Sequence, residues 1–172
     1  ACSCSIIISS PGFKANHRWK LLAKKYGKNL ISEIDFSSYF LKSKIIGITG
    51  TNGKTSVTSF LTHLWETIGH NAISAGNIGF PLSRTVLREK QNNTVFLEIS
   101  SFQAEDMVST KLDSLLWTNL DTDHIDEHGS MENYFRAKAK LIDLTKSNNI
   151  FVSQSVVDYA KKINYELPKK LE

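Results

Sequence analysis

The chain has 172 residues, enough for one α/β domain or for one domain and part of another. A hydrophobic share of 41% against a charged share of 22% predicts a packed core and excludes a disordered chain. The formal charge of +4 is mild and the basic residues are scattered, which argues against a nucleic-acid partner. No apolar run reaches membrane-spanning length, and the N-terminus lacks the charged, apolar and small-residue order of a signal peptide. A cytoplasmic protein without a membrane partner is therefore expected. Cys2 and Cys4 are too close for an unstrained bridge, and no second pair exists for a metal site, so buried or half-exposed thiols of a strand are expected. Asn92-Asn93-Thr94 matches a glycosylation sequon, which means nothing without a secretory signal.

Residues 1–43 read as one unit, too short to be a stable domain alone. Residues 5–8 form an apolar run readable as a buried strand, and Ser9-Ser10-Pro11-Gly12 is a turn. The spacing of Trp19, Leu22, Ala23 and Tyr26 predicts a helix closed by Gly27, and 29–32 reads as another short strand. The second unit covers 44–172. Strand patterns at 44–49, 71–75, 94–99, 114–118 and 149–153 alternate with helical patterns at 54–68, 102–108 and 132–146. Such alternation predicts an α/β fold, a parallel sheet flanked by helices in three layers. Ligands of such sheets sit at the carboxyl ends of the strands, where the polar residues of this chain cluster. Residues 154–172 carry no motif, and Lys161-Lys162 with Lys169-Lys170 reads as a solvated tail. The chain starts without methionine at what reads as mid-strand, so a piece of a longer protein is expected.

The segment Gly50-Thr51-Asn52-Gly53-Lys54-Thr55-Ser56 follows an apolar strand and opens a helical pattern. A glycine turn in that place points backbone N–H groups at phosphate oxygens, the lysine reaches the outer phosphates, and the threonine hydroxyl can ligate Mg²⁺. The strict pattern wants a glycine where Ile48 stands, so the match is to the shorter core; the alternative is an ordinary tight turn. Glu98 ends an apolar strand pattern, well placed to hold Mg²⁺ beside a phosphate loop, or simply to cap a helix or stand in solvent. The stretch from Asn119 to Gly129 is rich in acidic and histidine side chains, which could line a metal and phosphate cleft or form a polar surface loop. Helical spacing puts Tyr134, Lys138 and Leu141 on one face. Lys138 either snorkels to water or points into the site. Gly76-Asn77-Ile78-Gly79-Phe80-Pro81 is a turn that could place Asn77 against an anionic substrate.

Taken in order, these segments resemble the Mur ligases, ATP-dependent enzymes that build the peptide stem of bacterial peptidoglycan. The resemblance rests on Gly50–Thr55, Gly76–Gly79, Glu98-Ile99-Ser100-Ser101-Phe102-Gln103, Asp123-His124-Ile125-Asp126 and Tyr134-Phe135-Arg136-Ala137-Lys138, over about a hundred residues. The absent first glycine is what this family shows. Glu98–Gln103 and His128–Tyr134 look most like the branch that adds D-glutamate to UDP-N-acetylmuramoyl-L-alanine through an acyl phosphate. The resemblance implies that Lys54 contacts the outer phosphates of ATP, that Thr55 and Glu98 hold one Mg²⁺, and that His124 ligates a second. It implies a carbamylated Lys138 as a further metal ligand. Asn77, Ser100 and Gln103 would seat the UDP-muramoyl substrate, and residues 1–43, with Ser10-Pro11-Gly12, would end a uridine-binding domain. Catalytic roles fall to Lys54, His124 and Lys138. A monomer is expected, inactive by itself because the segment that binds the amino acid is not recognisable here. The competing readings are another amino-acid-adding ligase or a folate polyglutamate synthase, against which Ser101-Phe102-Gln103 argues, and a non-catalytic nucleotide-binding module.

Overall fold

The computed structural model describes residues 3–11, 13, 16–88, 93–123, 125–146 and 149–168. Of the residues singled out above, Cys2, Gly12, Asn92, His124, Lys169 and Lys170 lie outside the described set. The first unit is a small parallel pair, β1 (Ile6–Ser9) with β2 (Asn29–Ser32), joined through α1 (Arg18–Lys25) and followed by α2 (Glu33–Ser38). Ser32 caps α2 by accepting from Asp35 N at 3.0 Å. Two expectations fail here. The apolar run in β1 is not buried, since Ile6 and Ile8 are about half exposed with β2 as the only paired strand among the described residues, and Cys4 is an exposed thiol outside the strand. Helix α1 turns Trp19 outward, 67% exposed, and buries Ala23 and Lys20 instead. It does so because the Lys20 ammonium binds both oxygens of Asp106, at 2.7 and 2.8 Å.

The second unit is built on β3 (Lys44–Thr49), α3 (Lys54–Thr67), β4 (Ala72–Gly76), α4 (Leu82–Val86), β5 (Thr94–Glu98), α5 (Ser101–Asp106), β6 (Ser114–Trp117), α6 (Ile125–His128), α7 (Met131–Asp143), β7 (Ile150–Val152) and α8 (Gln154–Lys162). Its five strands are all parallel in the order β4-β5-β3-β6-β7. β5 is buried at every position, as a strand covered on both faces must be. Helix α3 packs over β3, β4 and β5, with Trp65 edge-on to Phe96, and α7 sets Phe135 against Trp117 of β6. After β3 the chain crosses to β4 on one side, and after β6 it passes to β7 on the other. The ends of β3 and β6 therefore flank a switch point, where a parallel sheet opens a crevice.

Asp35 fixes the first unit to this core. Its buried carboxylate accepts from Val108 N, Ser109 N and Thr110 N at 2.8–3.0 Å and from the Thr110 hydroxyl at 2.7 Å. Burial works to raise its pKa, but the hydrogen bonds from Thr110, Ser109 and Val108 outweigh it and hold the pKa below the ordinary carboxylate value. The clamp is fully present above the unfolded-state pKa and is lost as pH falls through the lower folded-state value. Asp35→Ala leaves the N–H groups of Val108, Ser109 and Thr110 without their acceptor and is expected to lower unfolding free energy by roughly 2–3 kcal/mol at neutral pH. Urea denaturation checks this, and an unchanged midpoint would count against the clamp.

Candidate functional site

β3 ends at Thr49, and the chain turns through Gly50-Thr51-Asn52-Gly53 into α3. Glycine is required at position 50 because a Cβ there would overlap the Thr118 hydroxyl at the end of β6. Gly53 is the N-cap of α3 in the left-handed region, φ 74°, and offers no side-chain cap to the helix. The first-turn N–H groups of α3 are thereby left pointing toward the crevice, the arrangement that receives an anion. The other half of the loop is already held. Asn119 Oδ1 accepts from Thr51 N and Asn52 N at 2.8 and 2.9 Å, and its amide donates to Asn52 O at 2.8 Å. Thr51 is buried, and its hydroxyl accepts from Asp121 N at 2.9 Å and from the Tyr134 hydroxyl at 3.2 Å.

Two lysines converge on this loop. Lys54 Nζ donates to Gly50 O at 3.0 Å and Thr51 O at 2.7 Å. Lys138 Nζ, on the inward face of α7, donates to the same Gly50 O at 3.0 Å and to Thr49 Oγ1 at 3.3 Å, 4.8 Å above the Tyr134 ring. Lys138 is 1% exposed. Burial, and then the neighbouring Lys54 charge, push its pKa down to about 7 against an opposing pull from Asp123. The spacing argument for Tyr134, Lys138 and Leu141 holds, since all three are buried.

Glu98 lies at the carboxyl end of β5, beside β3, and is 1% exposed, so it is not solvated, and Ser100 rather than Glu98 caps α5. Its Oε2 accepts from the Thr55 hydroxyl at 2.8 Å and its Oε1 from Asn77 Nδ2 at 2.9 Å. A hydroxyl and a carboxylate held together are a hard-oxygen donor pair of the kind Mg²⁺ takes. Ser100 and Gln103 bond to each other as the capping box of α5, with Gln103 N on Ser100 Oγ at 3.2 Å and Ser100 N on Gln103 Oε1 at 2.9 Å. Gln103 also borders a narrow crevice with Pro11, Ser32, Glu33, Ile34 and Asp106. Ser56 is exposed in the first turn of α3, and His124 lies outside the described residues.

The described acidic and histidine side chains of 119–129 divide between surface and interior. Asp126 and Glu127 face solvent on α6, while His128 turns inward against α5. Among the described residues, no group of three or more His, Cys, Asp or Glu side chains forms a metal site. The sequence reading missed Asn119 and the Tyr134 hydroxyl as loop supports. The only available signal for Asn119 was its place directly after a strand in a parallel sheet.

The model of the Mur ligase middle domain matches residues 48–171. The chain belongs to that family. It is 40% identical over 153 residues to a UDP-N-acetylmuramoylalanine–D-glutamate ligase of Leptospira interrogans, covering 88% of this chain and 33% of the relative. It is 35% identical over 162 residues to the ligase of the same name from Protochlamydia amoebophila, covering 93% of this chain and 36% of the relative. The chain thus spans about a third of the length of these curated relatives. Two solved structures share its fold. A UDP-N-acetylmuramoyl-L-alanyl-D-glutamate–2,6-diaminopimelate ligase superposes with a TM-score of 0.61 at 19% identity, over 96% of this chain and 44% of that one. A UDP-N-acetylmuramate:L-alanyl-gamma-D-glutamyl-meso-diaminopimelate ligase from Neisseria meningitides gives 0.64 at 18%, over 92% and 56%. No helix among the described residues is long and apolar enough to cross a membrane.

The lowered pKa of Lys138 has a thermodynamic sign. Between pH 7 and the unfolded value of 10.5 the unfolded chain binds the proton and the folded chain does not, so the cost of burying this amine is largest below about pH 7 and shrinks as pH rises. In CO₂-free buffer, Lys138→Met is expected to be more stable than the parent at pH 6, by a margin that narrows at pH 9. Urea midpoints at the two pH values measure it; a margin that stays constant or widens would contradict the assignment.

Proposed function

We propose that this chain is the ATP-binding, carboxylate-activating part of a cytoplasmic ligase that joins D-glutamate to UDP-N-acetylmuramoyl-L-alanine in peptidoglycan precursor synthesis. One observation carries the nucleotide reading: Lys54 and Lys138 meet at the carbonyl of Gly50 beside a helix N-terminus with no side-chain cap. The Lys54 cation and an uncapped helix end form a site for a polyanion, with Lys138 buried directly beneath. Family membership supports ATP as that polyanion, and the relatives' names support the substrates. On this reading residues 1–43 end a uridine-binding domain and 44–172 belong to the ATP-binding domain.

The residues divide the work by position. Lys54 leaves its backbone acceptors to pair with the outer phosphates of ATP, and the α3 N–H groups of Lys54, Thr55 and Ser56 bind the inner oxygens. The Thr55–Glu98 pair is where one Mg²⁺ would be held, and His124 with a carbamylated Lys138 would hold a second. Bound Mg²⁺ neutralises phosphate charge and so lets a carboxylate approach it. Asn77 fixes the orientation of Glu98 and, with Ser100 and Gln103, would seat the UDP-muramoyl substrate. The carboxylate of that substrate takes the γ-phosphoryl group from ATP, and the amine of D-glutamate then displaces phosphate from the acyl phosphate. Lys54 stabilises the charge that builds up in both steps. A Lys138 amine with a pKa near 7 is present in the neutral form that CO₂ requires, which supports its carbamylation.

In this chain, Lys54→Ala is expected to weaken ATP binding at least about tenfold, the loss of one charge-assisted contact to phosphate. Calorimetry with ATP and Mg²⁺ reads it, and an unchanged affinity would sink the phosphate-loop reading. A ligase containing this segment should release phosphate from ATP and UDP-N-acetylmuramoyl-L-alanine in step with incorporation of D-glutamate. Incorporation of a different amino acid instead would refute the substrate assignment.

A further inference from the structure

His128 occupies a position that none of the roles above accounts for. Its ring is buried, with Nε2 2.9 Å from Ser101 Oγ and Nδ1 3.1 Å from Glu105 Oε1. Phe102 stacks on it at 5.0 Å with 14° between the planes, and Tyr134 packs against it at 5.3 Å. Its carbonyl accepts from Asn133 Nδ2 at 2.8 Å. A Ser–His–Glu sequence of hydrogen bonds is the pattern of a serine nucleophile, but Ser101 is 2% exposed, and a hydroxyl so buried meets no acyl group. The arrangement instead joins two elements. Ser101, Phe102 and Glu105 belong to α5, directly after Ser100, and Tyr134 belongs to α7, one turn before Lys138. Tyr134 in turn bonds the phosphate loop at Thr51.

We propose that His128 is a positioning residue that sets the N-terminus of α5, and with it Ser100, in register with Lys138 and the phosphate loop. The Glu105 carboxylate can only accept, so in the neutral ring Nδ1 carries the proton and Nε2 accepts from the Ser101 hydroxyl. The ring is thus fixed in one tautomer from both sides, and the Phe102 stack fixes its plane. The kinetic consequence rests on the reading of Ser100 as a contact of the UDP-muramoyl substrate.

Two measurements test it. In this chain, ¹⁵N NMR of the imidazole is expected to show His128 as the Nδ1–H tautomer, with that state weakened in Glu105→Gln. The Nε2–H tautomer would overturn the proposal whatever reaction the protein catalyses. In a ligase containing this segment, His128→Phe keeps the ring stack and loses both hydrogen bonds. It is expected to raise KM for the UDP-muramoyl substrate roughly tenfold, the scale of a displaced contact, while ATP affinity stays within about twofold. His128→Gln offers one donor and one acceptor and should recover most of the loss. Wild-type KM in His128→Phe, or an equal loss in both variants, would overturn the positioning role. A parent ligase that binds no UDP-muramoyl substrate would instead overturn the proposed function, leaving the tautomer to decide for His128.

Discussion

Two ammonium groups donating to a single carbonyl oxygen, that of Gly50, is the arrangement around which the rest of the core is organised. Like charges this close repel one another, and burial of Lys138 removes the water that would screen them. The structure tolerates the pair because the cost falls on protonation: burial and the Lys54 charge lower the Lys138 pKa to about 7. An arriving phosphate reverses the balance. On the proposed reading it would give Lys54 a partner better than two neutral carbonyls, and the withdrawal of Lys54 would relieve Lys138. The arrangement is thus least comfortable without an anion, in keeping with the proposed nucleotide.

The packing explains how a lysine comes to lie at such a depth. Helix α7 buries Tyr134, Phe135, Lys138, Leu141 and Ile142 together, with Phe135 on Trp117 and on Tyr159 of α8. That apolar seam fixes the rotation of the helix, and Lys138 has no solvent route open to it. Its head therefore ends at the strand termini, where Thr49 and Gly50 offer oxygens. On the other side of the loop, Asn119 occupies the N–H groups of Thr51 and Asn52. The first half of the loop is held by these bonds, and the start of α3 is left without a side-chain cap. Preorganisation of this kind spares the reorganisation that a flexible glycine turn would need on binding.

These features were unequally legible in the sequence. The five strands and the phosphate loop are local signals, a β-branched run followed by glycines, and they emerged within a residue or two of their observed bounds. The depth of Lys138 was legible from its spacing to Tyr134 and Leu141. The short helices α2, α4 and α6 were not, because four to six residues show no period. α8 was passed over although Val156 and Ala160 mark its inward face. The partners of Asp35, Asn119 and His128 could not be read at all. Each is an ordinary polar residue until a distant segment is folded against it, and only the tertiary structure brings that segment. Trp19 misled in the opposite sense, since helical spacing identifies a stripe without saying what covers it.

Helix α5 shows most clearly how the two units depend on each other. At six residues it is too short to persist by its own hydrogen bonds. The capping box of Ser100 and Gln103 closes its start, but its placement is imposed from outside. Lys20 of the first unit grips Asp106 at its last residue, and Asp35 holds the three N–H groups of 108–110 just beyond. His128 holds Ser101 and Glu105 from the opposite side. A segment that begins three residues after Glu98 is therefore fixed at one end by residues 1–43 and at the other by the α6–α7 region. If Ser100 touches the substrate, the position of that contact is set jointly by both units, and a shift of either one would be felt at the carboxyl end of β5.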